Sequence, residues 1–401
     1  MRALLTLLHR WFGLFIAVFL AIAGATGALI AWDHELDAML SPKFYHAVDV
    51  SQGKVQPMTS LQLADKLESE HPELKVSFMG TAIEPGEAHN LFVVPTNGVE
   101  GSLGYNQVAM NPYTGEIQAK RQWGEPVLAA DHLMPFIYKL HYSLHIPSVG
   151  GTDLGMLLMG IIGIVWFLDC FIALSISFPS LAQWRKSFAF RWRASNHKLT
   201  FDLHRSGGVW VWGLLLVMAI TSISMNLGHQ VMRPLVNALS PITPTPFETQ
   251  ALSEAKSPTL NREAVTRLAE AEALKLGINK PLGGLFYGSQ QNIYQVMFYQ
   301  PGYAHGDWGL GNPSLYFDGA SGKLLGTEIP GEGSAGDIFV QLQFPLHSGR
   351  ILGVGGRVLV TLLGLMVTTL SVTGIIIWAR KRLARKTIML RGAMGAELVN
   401  G

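Results

Sequence analysis

Residues 7–37 read LLHRWFGLFIAVFLAIAGATGALIAWDHELD, and this stretch decides the architecture. His9 and Arg10 open it, an uncharged run from Trp11 to Trp32 follows, and Asp33, Glu35 and Asp37 close it. The run reaches the roughly 20 apolar residues that a helix needs to cross a bilayer. It exceeds the ~7–15-residue apolar core of a secretory signal, so it reads as a retained anchor. The design returns in LHRSGGVWVWGLLLVMAITSISMNLGHQ, residues 203–230, with His204 and Arg205 at the matching place. His34 follows His9 by 25 residues, and His229 follows His204 by 25. A helix makes about seven turns in that distance, so each pair can face one way from opposite ends.

The chain has 401 residues, 49% of them hydrophobic and only 14% charged. Soluble domains carry about 25% charged residues, so this is a membrane protein with long polar stretches left over. A net charge of +2 gives no pointer to nucleic acid as a partner. The single cysteine, Cys170, excludes an internal disulfide and lies inside an apolar run, where it reads as a small core residue.

Three more apolar runs follow the first: Gly155 to Phe178 before Pro179, Gly207 to Gly228, and about Val354 to Ala379 before Arg380, Lys381 and Arg382. The first ten residues, the loop 179–207 and the tail after 379 hold 14 Lys or Arg but only two acids, Asp202 and Glu397. The positive-inside bias assigns these segments to the cytoplasm. The expected segments are a first transmembrane helix at 1–33, a periplasmic domain at 34–150, a second transmembrane helix at 151–179 and a cytoplasmic loop at 180–206. A third helix at 207–228, a second periplasmic domain at 229–351, a fourth helix at 352–379 and a cytoplasmic tail at 380–401 complete them. The expected localisation is a bacterial inner membrane, with the lipid bilayer as one partner.

The two long segments look like copies. LQLADKLESEHPEL reads as an amphipathic helix stopped by Pro72, then LKVSFMG and NLFVVP read as strands, and Asn111–Gly115 as a turn between two more. The second copy gives the helix LNREAVTRLAEAEALKLG with Asn261 as N-cap, the strand NIYQVMFYQ, and SLYFDGASGKLLGTEI as strand, turn, strand with Asp318 and Gly322 in the turn. KLHYSLH ends the first copy at His145 and QLQFPLH ends the second at His347; His141 aligns with Gln343. The fold class is therefore an α-helical membrane protein: four transmembrane helices from a tandem duplication, with two small α+β domains on one side. Parallel repeats of this kind are related by an axis along the membrane normal.

Histidines near membrane-buried helix ends mark functional sites by default. A twofold axis between the repeats pairs His9 with His204 at the cytoplasmic ends, and His145 with His347 at the outer ends. Two imidazoles on opposite sides of a flat, symmetric ring are how a bis-histidine b-type haem is held. Two such haems, one near each face, make an electron path. The absence of C-x-x-C-H excludes a covalent haem. At the outer side His34 with His229 obeys the same symmetry, and His141, one turn before His145, is a ligand, a supporting group or a substrate contact. Arg10, Arg205 and Arg350 are candidate partners for haem propionates, as is Arg357, with snorkelling to headgroups the plain alternative. Zinc is less suited, because its sites need three or four protein ligands. Asp169, inside the second span, calls for a partner, and an arginine at a cytoplasmic helix end is the expected one. No acid, base or nucleophile is required. In the loop YQPGYAHGDWGLGNP, Tyr299, Tyr303, His305 and Trp308 are candidates for a docking face.

LHRWFGL, MNPYTGE, KLHYSLH, LHRSGG and FPLHSGR resemble the PepSY-associated transmembrane family, also called PiuB-like or iron-regulated inner-membrane proteins, over nearly the whole chain. The resemblance implies that the two outer copies are PepSY-like domains. It also implies a haem-dependent ferric-siderophore reductase that passes electrons to chelated iron in the periplasm and releases ferrous iron, a step in iron homeostasis. The family's matches fall on His9, His145, His204 and His347. No G-x-G-x-x-G follows a strand, so the electron donor is expected to be a separate flavoprotein, reduced flavin or quinol. Two other readings stand beside this one: a non-enzymatic protein that binds or regulates a periplasmic partner through its PepSY domains, and a component of metal or siderophore transport.

Overall fold

The structure is a computed structural model that describes residues 1–48, 56–96, 102–178, 180–254 and 256–400. Pro179, the expected end of the second span, and Gly401 lie outside the described residues. In chain order the elements are helices α1 (Arg2–Ile30), α2 (Asp33–Leu40), α3 (Pro42–Tyr45) and α4 (Ser60–Glu70), and strands β1 (Leu74–Gly80), β2 (His89–Pro95), β3 (Gln107–Met110) and β4 (Ile117–Arg121). Helix α5 (Ala130–Ser143) and a small hairpin of β5 (Ser148–Val149) and β6 (Thr152–Asp153) come next. Helices α6 (Leu154–Ser177), α7 (Asn196–Trp210), α8 (Trp212–Asn226), α9 (Arg233–Asn237), α10 (Pro246–Thr249) and α11 (Arg262–Lys275) lead to strands β7 (Leu282–Gly288), β8 (Ile293–Phe298), β9 (Ser314–Asp318) and β10 (Leu324–Glu328). Helices α12 (Ala335–Ser348) and α13 (Gly353–Asn400) end the chain.

These elements form two units. The helical unit comprises residues 1–31, 140–232 and 357–401, and the sheet-bearing unit residues 32–139 and 233–356.

In the helical unit α1, α6 and α13 are each long and apolar enough to cross a membrane. The third expected span, 207–228, is not one straight helix. It divides into α7 and α8, which meet at an angle of 71°. The break falls at Val211 in SGGVWVWG, where glycines and β-branched residues weaken the helix. Two side chains turn α7 aside: Ser206 Oγ donates to the Ala189 carbonyl at 2.8 Å and Trp210 Nε1 to the Phe188 carbonyl at 3.0 Å. Ile16 and Leu20 of α1, Ile162 and Cys170 of α6, Leu215 of α8, and Leu363 and Val367 of α13 form one buried cluster, so Cys170 is a core residue.

Helices α1 and α13 touch through glycine. A Cβ on Gly364 would lie 2.5 Å from the Gly24 carbonyl oxygen, and one on Gly24 would lie 2.6 Å from that of Gly364. Small residues let backbones approach this closely. Gly364→Val is expected to cost at least about 1–3 kcal/mol, because the obstacle is backbone and cannot rotate away. Thermal unfolding in detergent measures it; an unchanged midpoint would refute the contact.

The sheet-bearing unit merges what the sequence presents as two small domains. Its eight strands run β10-β9-β8-β7-β1-β2-β3-β4 in one antiparallel sheet. The join is β1 against β7, where Phe78 faces Phe286. On each side of it stand four strands in simple sequence order, preceded by one helix, α4 or α11. The reading of the turns agrees in detail. Asn111 Oδ1 accepts from the Tyr113 amide at 2.9 Å and Asp318 Oδ1 from the Ser321 amide at 2.7 Å. Gly115 and Gly322 then take φ of +71° each, which suits glycine. Leu63 and Leu67 of α4 and Val265 and Ala269 of α11 bury against Val76, Leu91, Val93, Leu285, Val296 and Leu315 on one face of the sheet. Side chains alternate along a strand, so Asn90 and Phe92 belong to the opposite face.

That second face carries a buried ion pair. Arg121, at the end of β4, holds both oxygens of Asp37 in α2 at 2.6 and 3.0 Å, and its Nε donates to Gln107 Oε1 at 2.7 Å. Ser41 and Tyr45 donate to the same carboxylate, each at 2.9 Å. A shared proton acceptor this enclosed keeps the Tyr45 hydroxyl well above its ordinary value, with burial the largest cause.

Candidate functional site

Helix α1 carries His9 and α7 carries His204 in the helical unit, and the two rings lie 6.0 Å apart between centroids at 47°. Each ring is anchored through Nδ1. His9 Nδ1 lies 2.9 and 3.0 Å from the two carboxylate oxygens of Asp169 in α6. His204 Nδ1 lies 2.9 Å from the Leu370 carbonyl and 3.3 Å from Thr373 Oγ1. A carbonyl accepts and never donates, so the His204 proton sits on Nδ1. An ionised carboxylate imposes the same choice on His9. In both rings Nε2 therefore carries the free lone pair, and neither Nε2 has a hydrogen-bond partner among the described residues. This is the tautomer that a metal-ligating imidazole takes, with its second nitrogen held by a carboxylate or carbonyl.

Asp169 thus has a histidine as its partner where the sequence suggests an arginine. Residues 9 and 169 are 160 positions apart, and nothing local in WFLDCF identifies the other group. The anchorage of His204 had a signal that is visible only afterwards. Thr373-Gly374 in α13 supplies the threonine, and a Cβ on Gly374 would lie 3.0 Å from His204 Cε1. Thr26-Gly27 in α1 does the same for His141. Thr26 Oγ1 lies 3.0 Å from His141 Nδ1, and a Cβ on Gly27 would lie 3.0 Å from His141 Cε1. The Thr26 hydroxyl donates to the Ile22 carbonyl at 2.7 Å, so it accepts from His141 and leaves that ring in the same tautomer. The dipeptide Thr-Gly, found once in each of two apolar helices, makes a slot for one imidazole.

Arg10 and Arg205 follow His9 and His204 in sequence, and the Nε of each is buried without a hydrogen-bond partner among the described residues. The rest of Arg205 is engaged, through the Lys186 carbonyl and, at 3.8 Å, Asp202. The Arg10 guanidinium stands 5.5 Å from the Trp11 ring centre.

The remaining candidates divide between the units. His145 belongs to the helical unit, just past α5, in a left-handed conformation with φ of +55°. His347 belongs to the sheet-bearing unit, in the last turn of α12. His229 lies in the helical unit within a π-turn, Gly228–Met232. His34 lies in the sheet-bearing unit in α2, its ring 5.1 Å from that of Tyr45. Arg350 in the sheet-bearing unit pairs with Asp33 at 3.4 Å. Arg357, in the helical unit, donates through Nε to the Ala31 carbonyl at 2.7 Å. In the loop after β8, Tyr299 is buried, while Tyr303 and Trp308 are exposed. Among the described residues no group of three or more His, Cys, Asp or Glu side chains is arranged to hold a metal ion.

No curated protein matches the chain. Residues 6–381 match the family described as the PepSY-associated TM region, and with nearly its whole length covered the chain belongs to that family.

Proposed function

We propose that this protein is an inner-membrane oxidoreductase that carries electrons through two b-type haems, from a donor on the cytoplasmic side or in the membrane to a ferric siderophore in the periplasm, releasing ferrous iron. The donor is a separate flavoprotein, reduced flavin or quinol. In this reading the chain is a tandem duplication, which the two runs of helix and four strands joined at Phe78 and Phe286 support, and both termini are cytoplasmic, which the excess of Lys and Arg in the end segments supports.

The observation that carries the reading is the pair His9 and His204, each fixed through Nδ1 with Nε2 free. Their ring centres lie 6.0 Å apart, close enough for one bound group to meet both imidazoles. The orphaned Nε–H groups of Arg10 and Arg205 fit a group that brings its own carboxylates, as haem does. A haem held there supplies a one-electron carrier. His9 and His204 bind it, Asp169 and the Leu370 carbonyl orient them, and Arg10 and Arg205 offer charge to the propionates. The aliphatic cluster around Ile16, Ile162 and Leu363 excludes water from the span. At the outer side the proposed ligands are His145 and His347, with His34, His229 and His141 as alternates. The Thr26 anchorage speaks for His141, because it matches that of His204.

The test is a visible absorption spectrum of the purified protein, oxidised and reduced, with a haem count. Two b-haems per chain are expected, and His9→Ala is expected to leave one. No haem, from cells well supplied with iron and haem, would sink the reading in favour of a partner-binding or transport protein.

A further inference from the structure

The second face of the sheet is the floor of a cavity of ≈ 330 Å³ within the sheet-bearing unit. Its walls come from α2, α5 and the loop after β8. Three features of the lining restrict what fits inside.

Charge is the first. Asp37 is neutralised by Arg121, and Asp33 by Arg350. The one further carboxylate in the lining is Glu87, on the exposed side. Burial holds His89 down to about 4, so it is neutral at pH 7. His34 and His305 also line it, and burial lowers the His305 pKa; among the described residues both guanidiniums of the lining are paired, so an anionic ligand would meet no unpaired arginine or lysine there.

Shape and surface come second. Phe78, Phe92, Trp123, Tyr138 and Tyr299 all line the cavity. Tyr299 packs against a glycine pair of β7: a Cβ on Gly283 would be 2.5 Å from its ring, and one on Gly284 would be 2.4 Å from its hydroxyl. The glycines thus leave room for an aromatic ring as one wall. Aromatic walls favour a planar ring as occupant.

Unused hydrogen-bonding groups are the third. Tyr299 is 5% exposed, yet its hydroxyl has no hydrogen-bond partner among the described residues. Burial pushes that hydroxyl up to about 12, so it remains a donor at neutral pH. Asn90 Oδ1 is buried and also without a partner. Its amide cannot usefully turn over, because Nδ2 already donates to the Phe44 carbonyl at 2.5 Å. Leaving a buried acceptor such as Asn90 Oδ1 unsatisfied costs free energy. Oδ1 accepts only, so a group that reaches it must bring an O–H or N–H.

We infer that this cavity binds an uncharged hydroxylated aromatic ring, a phenol, catechol or hydroquinone, whose hydroxyl donates to Asn90 Oδ1 and accepts from Tyr299. The site stands independently of any haem, and the probe is chosen accordingly. Resorcinol has the required ring and hydroxyls, is a poor iron chelator and is not readily oxidised. Calorimetric titration of the full-length protein in detergent should show saturable binding with half-saturation at or below about 1 mM, the range of a good fragment. Benzoate, the same ring with a charge, should bind at least about tenfold more weakly. Tyr299→Phe removes one hydrogen bond without changing shape and should weaken resorcinol roughly two- to tenfold. Ala304→Phe, which adds a ring at an exposed position of the lining, should abolish saturation. Failure of resorcinol to saturate, equal binding of benzoate, or unchanged affinity in both variants would each overturn the inference. None of these outcomes depends on the haem count, so the two proposals fail separately.

Discussion

Arg121→Ala destabilises the sheet-bearing unit by about 3–5 kcal/mol, the cost of leaving one member of a buried ion pair alone. The Arg121 side chain is 2% exposed and that of Asp37 7%. Truncation strands the Asp37 carboxylate with Ser41 and Tyr45 as its side-chain donors among the described residues. It also strands Gln107 Oε1 and the Asp131 carbonyl, and opens a void over Phe44, whose ring centre lies 4.2 Å from the guanidinium. Asp37→Leu with Arg121→Met should recover most of the loss, because a matched apolar pair carries no desolvation penalty. Limited proteolysis of the full chain against denaturant, read at the 32–139 and 233–356 segments, measures both. Equal resistance in Arg121→Ala and the parent would show that the pair is not enclosed.

For the haem proposed at the His9–His204 pair, Asp169→Asn is expected to lower affinity by about 10- to 100-fold, the usual effect of losing a group that orients a metal-bound histidine. The substitution keeps the volume but removes the charge, and its amide can donate as well as accept. The His9 proton is then free to move to Nε2, the nitrogen that must be bare. A less basic His9 also stabilises the oxidised iron less, so the reduction potential of the haem that remains should rise. Haem retention on dilution and a redox titration read the two effects. Unchanged retention and potential, with two haems still bound, would mean that Asp169 is only a structural partner.

Much of the fold could be read along the chain, because its signals are local. Uncharged runs of membrane length, the turns at Asn111–Gly115 and Asp318–Gly322, and the N-cap at Asn261 depend on neighbours a few residues away. The bend at Val211 was less legible. SGGVWVWG contains its cause, but the side chains that set the angle reach back to Ala189 and Phe188 in a loop with no regular pattern. The same division holds for the site. His9 and His204 stood out through their repeated His-Arg context, whereas Asp169 showed only that it needed a partner.

By itself, then, the sequence determined which segments are apolar enough to span, where the strands turn, and which histidines recur at matching places. Those properties follow from hydrophobicity and backbone preference, which act over one element at a time. The tertiary structure alone decided that the two sets of four strands fuse through β1 and β7, that Asp37 meets Arg121, and that His9 meets Asp169 while His204 meets the Leu370 carbonyl. Strand edges pair through backbone groups that every residue carries. A buried carboxylate likewise accepts from any donor that packing brings near. Such pairings have no signature in the chain, and packing alone selects them.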